Sequence, residues 1–399
     1  MSISLLKFIA AVTFTLIFIG LADAQTLKIG VLADQSSAYS DMGGSGSITA
    51  AKMAIADFGG SVLGRKIEII SADPLNKPDV GSAIAKRWID VEGVAVIVDV
   101  PLSSLALAVQ DITRNSKTAL LVSSAGTSDL TGKACSPTTV HWTYDSYALA
   151  AGTARGVVQS GGKRWFFLTQ DNAFGTALER DVTQFVTEAG GQVIGSVRHP
   201  LNTPDFASFL VTIQAAHPDV VAFADSGSDF INGIKQAGEF GLPASGIKMV
   251  GLSVFITDVH ALGLKASQGL QFITPFYWDL TPESRKWSQR FFEREKKMPT
   301  KIQAGVYGAI MHYLSAVKAA GTSDGPTVVA RMKQTPVNDF FTKNGRVRED
   351  GRVLREFHFM EVKTPAESKG PWDYYKLIRT LDADSTARPV NQSECPLLR

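Results

Sequence analysis

Two short turns carry the side chains best suited to holding a small anion. The apolar run 94–98 is followed by Asp99-Val100-Pro101-Leu102-Ser103-Ser104, and the run 119–122 by Ser123-Ser124-Ala125-Gly126-Thr127-Ser128. Hydroxyls and unpaired backbone N–H groups at a helix start make an anion cradle, although Ser103 can equally serve as a plain N-cap. A carboxylate shared between these two turns would be well served. Catalytic apparatus is missing by contrast. The six histidines (His141, His199, His217, His260, His312, His358) show no H-E-x-x-H and no pair four apart, and no G-x-S-x-G occurs. Gly43-Gly44-Ser45-Gly46-Ser47 fits neither common phosphate-loop pattern and reads as a helix entry. Two cysteines without C-x-x-C exclude a thiolate zinc site. No enzyme, metal or cofactor is expected.

The turns belong to alternating strand and helix patterns. Apolar strand runs at 27–32, 67–70, 94–98 and 119–122 alternate with helical spacings through Ile48, Ala51, Ile55 and Phe58, then Ile84, Trp88 and Val91, then Leu105, Ala108, Val109 and Ile112. The pattern restarts with strands at 165–168, 193–194, 220–223, 249–251 and 270–273. Beyond Pro275 the chain reads as helical through Trp287 and Phe291 and again through Val306, Ile310, Tyr313 and Val317, then as a late strand over 352–363. Such alternation predicts two doubly wound α/β, Rossmann-like lobes, with ligand sites at the carboxyl ends of the strands. No low-complexity linker separates them, so the chain is expected to cross between lobes through its strands.

Lys7, the apolar run 8–22 and Ala22-Asp23-Ala24 describe a secretory signal peptide cleaved after Ala24. A 15-residue run spans about 22 Å as a helix, short of the ~30 Å bilayer core, which argues against a membrane anchor. The protein is therefore expected in the periplasm. In that oxidising compartment Cys135 and Cys395 are expected to bridge, the alternative being two buried free thiols. Forty basic and 38 acidic residues leave a net charge of +2 with no basic block, which disfavours a nucleic-acid partner. At 45% hydrophobic and 20% charged, the composition is that of a folded globular protein.

The opening LKIGVLADQSSAYSDMGGSG, the segment VSSAGTSDLTGKACSPTTVHWTYDSYALA, the stretch LTQDNAFGTALERDV and the pattern IKQAGEFGL resemble the type I periplasmic binding proteins, in the leucine/isoleucine/valine-binding branch that feeds ABC importers. The resemblance implies a two-lobed fold with a three-crossover hinge: residues 25–144 with 276–351 in one lobe, 145–275 with 352–399 in the other, and the tail tied back to the first. It implies a monomer that captures a small carboxylate by closing, with an inner-membrane permease and ATPase as partners. Carried over, its ligand site falls on Tyr39, Ser103 or Ser104, the turn Ser124-Ala125-Gly126-Thr127, Asp145 for a ligand ammonium, Phe174 as the second-lobe aromatic, and Asp225, Ser226 or Gly227 after the strand 220–223. Asp145 can alternatively be a helix cap. Relatives that bind α-amino acids bring a second acid from the segment matching 251–255, where this chain has Ser253 and Phe255 and no acid. That departure favours a ligand with a carboxylate and no amine. Phe174, Phe255, Tyr144 and Tyr147 could line a pocket for an aromatic acid or pack in the core. An amino acid and an aromatic acid both remain as ligands, and a ligand-sensing receptor subunit is the alternative role.

Overall fold

A computed structural model describes residues 26–398; the expected leader, 1–24, lies outside the described residues. The first sheet has six strands in the order Ser61–Val62, Arg65–Ala72, Leu27–Leu32, Val96–Asp99, Ala119–Val122, Thr139–His141. All pair in parallel except the Ser61–Val62 hairpin strand. Ile29 lies between Ile69 and Val96, and Ile97 opposite Leu120, so the central strands bury apolar side chains on both faces. The helices Gly44–Phe58, Pro78–Asp90 and Ser103–Arg114 provide the crossovers.

The second sheet runs Tyr375–Leu381, Phe357–Val362, Gln271–Thr274, Lys248–Gly251, Val220–Ala224, Arg164–Gln170, Gln192–His199. Its first two strands are antiparallel additions that arrive late in the chain. The chain passes from the first sheet to the second after His141 and returns after Thr274. It then supplies the helices Pro282–Glu295, Lys301–Ala320 and Gly325–Lys333 before crossing again near Arg355.

The helix Gly44–Phe58 turns a small-residue face inward, with Gly46, Ser47, Ala50, Ala51 and Ala54 buried, whereas Ile48, Ile55 and Phe58 are half-buried. Close approach of the helix Lys301–Ala320 explains the shift, since a Cβ on Gly46 would meet Gln303 Nε2 at 2.1 Å. The expected single strand over 352–363 is two pieces. Val353–Leu354 pairs with Arg346–Val347, and Phe357–Val362 joins the second sheet. Buried Arg355 occupies the break, donating to the Trp142 carbonyl at 3.0 Å and stacking against Trp142 and Phe341.

Cys135 and Cys395 form a disulfide with their Cα atoms 5.6 Å apart. The tail that it ties down carries Arg388, whose guanidinium lies 3.1 Å from Asp181 on the helix Ala173–Glu188 and 4.4 Å from the centre of the Tyr147 ring. No described helix is long and apolar enough to cross a membrane.

Candidate ligand-binding cleft

The carboxyl ends of both sheets face each other, and the backbone is unusual where the first turn begins. Asp99 and Val100 have φ of 79° and 61°, a left-handed conformation that non-glycine residues rarely adopt. The kink releases the chain from the strand so that Ser103 can start the helix Ser103–Arg114. Ser103 Oγ accepts the Thr127 amide at 3.2 Å, which ties the two hydroxyl-bearing turns together. Thr127 Oγ1 in turn accepts the Asp129 amide at 3.3 Å. Each hydroxyl is engaged as an acceptor, leaving its own O–H to donate. Ser124 lends its carbonyl to the Tyr144 hydroxyl at 2.7 Å, and the Ala125 carbonyl takes the Nε2 hydrogen of His141 at 2.8 Å.

The lobes touch around these turns. Tyr39 donates its hydroxyl to Gln170 Oε1 at 2.6 Å across the seam, and the Ser228 amide reaches the Ala38 carbonyl at 3.4 Å. Gly227, at φ 65°, leaves room for Ala38: a Cβ there would come within 2.4 Å of its oxygen. A Cβ on Gly126 would meet the Phe174 ring at 2.6 Å and the Tyr144 ring at 2.8 Å. Phe174 is presented by the helix Ala173–Glu188, whose N-cap Asn172 accepts the Gly175 amide at 2.9 Å. The structure thus brings Tyr39, Ser103, Ser124, Ala125, Gly126, Thr127, Phe174, Asp225, Ser226, Ser253 and Phe255 to the buried ends of the strands, with Ser104 half-buried beside them.

Asp145 and Tyr147 are engaged elsewhere. Asp145 caps the helix Ser146–Gln159, its Oδ1 accepting the Ala148 amide at 2.7 Å and its Oδ2 2.7 Å from Arg352 Nε. Burial works to raise its pKa, but Arg352, with His141 and the Ala148 amide, outweighs it and holds the carboxyl below the usual range. Tyr147 packs edge-on against Phe185 and under Arg388.

Several residues that face this seam carry no local motif. Asp99 is fully enclosed and pushed up to about 7 by burial, with the Ser47 hydroxyl opposing and Asp34 adding to the shift. Lys301, the first residue of its helix, places Nζ 3.2 Å from the Val254 carbonyl and 4.1 and 4.8 Å from the ring centres of Phe255 and Tyr144. Burial lowers this ammonium to about 7 against the pull of Asp258. Asp258 is raised to about 8 by burial, opposed by the Phe255 amide and Lys301. A lysine at the positive end of a helix is the one sequence signal that could have exposed Lys301. His199 and Gln170 offered none. No group of metal-ligating side chains occurs among the described residues.

Residues 26–371 match the family described as periplasmic binding protein. The chain belongs to that family. A periplasmic binding protein from Burkholderia mallei shares 42% identity and superposes with a TM-score of 0.92, covering 94% of this chain and 100% of that one. A branched chain amino acid ABC transporter periplasmic ligand-binding protein from Burkholderia xenovorans shares 35% identity at a TM-score of 0.84, over 94% and 100% of the two chains. A Leu/Ile/Val-binding protein homolog from Brucella melitensis is 26% identical over 323 residues, 78% of this chain and 81% of its own length. Periplasmic binding proteins of this branch are solute-binding proteins of ABC transporters and not enzymes.

Proposed function

We propose that this periplasmic binding protein is the solute-capturing component of an ABC importer of the branched-chain amino acid type, exported by removal of residues 1–24. Its ligand is a small carboxylate, held between the lobes and handed to an inner-membrane permease driven by its ATPase. The observation that carries the reading is the pair of linked hydroxyl turns. Ser103 and Thr127 each accept a backbone amide and keep an O–H for an anion, and both are buried together with Tyr39, Tyr144 and Phe174. A carboxylate seated there is stabilised by hydroxyl and helix-terminal donors in the first lobe. Its remaining surface meets the second lobe only when the lobes close. Capture therefore follows from differential affinity for the closed form. No bond of the ligand is made or broken.

The similarity to Leu/Ile/Val-binding protein homologs and to a branched chain amino acid transporter component supports an aliphatic ligand. The rings of Tyr144, Phe174 and Phe255 at the same place favour an aromatic acid as the second reading. A thermal-shift screen of refolded mature protein tests capture itself. The panel is leucine, isoleucine, valine, benzoate, 4-hydroxybenzoate and short fatty acids. A ligand at 100 times its Kd adds about 2.7 kcal/mol and a rise of a few degrees in Tm. A flat response to every carboxylate rejects the proposal.

A further inference from the structure

The second lobe carries a groove on the edge of its sheet away from the cleft. It encloses about 700 Å³ and lies where the strands Lys248–Gly251 and Gln271–Thr274 begin. These strands run parallel to Val220–Ala224, and Asp225 follows that strand at its carboxyl end. Groove and cleft therefore occupy opposite edges of one sheet.

Short helices leave the groove open. The helix Ser228–Glu239 forms one wall with 12 residues, about 18 Å of cover. On the other side Gly263, at φ 73°, ends the helix Ile256–Leu262 after 7 residues, and the single turn Leu264–Ser267 stops before Gly269 at φ 78°. Two such pieces leave the amino ends of the strands uncovered. A Cβ on Gly238, in the last turn of the first wall, would have nothing within 4 Å. The floor is apolar: Ile234 and Leu270 are buried, and Ile247, Met249 and Leu262 are half-buried. No aromatic ring lines it, in contrast to the cleft with Tyr144, Phe174 and Phe255. Flexible side chains left half-open to water suit a flexible aliphatic body.

Charge names the other end of the occupant. Lys235, Lys248 and Lys265 line the groove against one acid, Glu239, an excess of two positive charges. Lys248 Nζ donates to Ser160 Oγ at 2.8 Å, and none of the three ammonium groups pairs with a carboxylate among the described residues. A second copy of this chain docked face to face would set like charges together. An amphipathic anion meets both the floor and the rim.

We propose that this groove binds an aliphatic carboxylate of medium chain length, its alkyl body on Ile247, Met249 and Leu262 and its head group at the lysines of the rim. The site is separate from the cleft and independent of what the cleft captures.

The test is calorimetry on the disulfide-bonded mature protein, with dodecanoate kept below the concentration at which it forms micelles. One molecule is expected to bind per chain, with affinity rising by up to about fourfold for each methylene between octanoate and dodecanoate. Gly238→Leu fills the open wall without a backbone clash and is expected to weaken dodecanoate by about tenfold or more. Lys235→Glu combined with Lys265→Glu is expected to weaken it by about tenfold. Thermal melts check that each variant folds. The pair Ser103→Ala and Thr127→Ala, in the cleft, is expected to leave dodecanoate binding unchanged. Absence of saturable binding overturns the proposal, as does binding that survives Gly238→Leu. Equal binding of the dodecylammonium cation overturns it too, and so does loss of dodecanoate in the cleft pair. A dimer in sedimentation that Gly238→Leu dissociates would put a second copy in the groove and overturn it as well.

Discussion

At the scale of single residues, the cleft divides its work between side chains that donate and side chains that make room. Ser103→Ala and Thr127→Ala each remove one O–H donor, and each is expected to weaken carboxylate binding by about 1–3 kcal/mol, measured by calorimetry. Ser103→Ala also frees the Thr127 amide and Thr127→Ala the Asp129 amide, so the two effects should be of similar size. Gly126 makes room. Gly126→Val would drive a side chain into the rings of Phe174 and Tyr144 and is expected to cost about 1–3 kcal/mol of binding through impaired closure. Two histidines set the acid limit. His141 is held at about 4 by burial, with Arg352 adding and Asp145 and the Ala125 carbonyl opposing; His358 is held at about 4 by burial. Both bind fewer protons folded than unfolded between pH 4 and the ordinary histidine value of 6.5. Their contribution is full above 6.5 and is lost as the pH falls toward 4. His358→Gln is expected to flatten that loss in melting temperatures taken across this range.

Among the elements, the crossovers concentrate the buried charge. Asp145 ends one crossover and Arg352 begins another, so their ion pair pins two passes of the chain to each other. Arg352→Met would leave Asp145 buried and unpaired, a loss of about 3–5 kcal/mol, and adding Asp145→Asn should restore part of it. Thermal melts of the single and double variants measure this. The elements also show what the sequence could and could not reveal. Leu27–Leu32 and Ala119–Val122 were legible because strands buried on both faces read as unbroken apolar runs. Tyr375–Leu381 was not: an edge strand with Lys376 and Arg379 on it has no such run. Thr139–His141 was missed because it is short and polar, and it is buried only through its neighbours. The same division holds at the cleft. Ser103, Thr127 and Asp225 were visible from their place after apolar strands, whereas the contacts of His199 and Lys301 depend on partners 26 or more positions away, brought near only by folding.

For the whole molecule, one fold carries two kinds of lobe contact. Around the cleft they include the Tyr39–Gln170 hydrogen bond and the packing of Phe174 on Gly126, which closure can make and break. On the side of the tail they include charged pairs: Asp181 accepts from Ser128 at 2.8 Å, and Arg180 pairs with Asp129 at 3.0 Å. Motion is accordingly expected at the cleft mouth and not at Asp181. The disulfide closes a sequence separation of 260 residues. The loop-entropy relation puts its stabilisation at about 5 kcal/mol, and measured values often fall below that relation. Replacing both cysteines by serine should lower the denaturant midpoint while leaving ligand affinity unchanged, as read by parallel unfolding and binding curves.

The disulfide also means that where the chain is synthesised decides which molecule is obtained. Protein gathered from a reducing cytosol keeps a hydrogen on each of Cys135 and Cys395, and the residues beyond Leu381 then lose their covalent tie and keep the polar contacts of Arg388, Arg346 and Arg348. Such a preparation should lose its last segment to a protease that leaves the disulfide-bonded form whole. A laboratory comparing two batches would find one cleaved band and one intact band from a single gene.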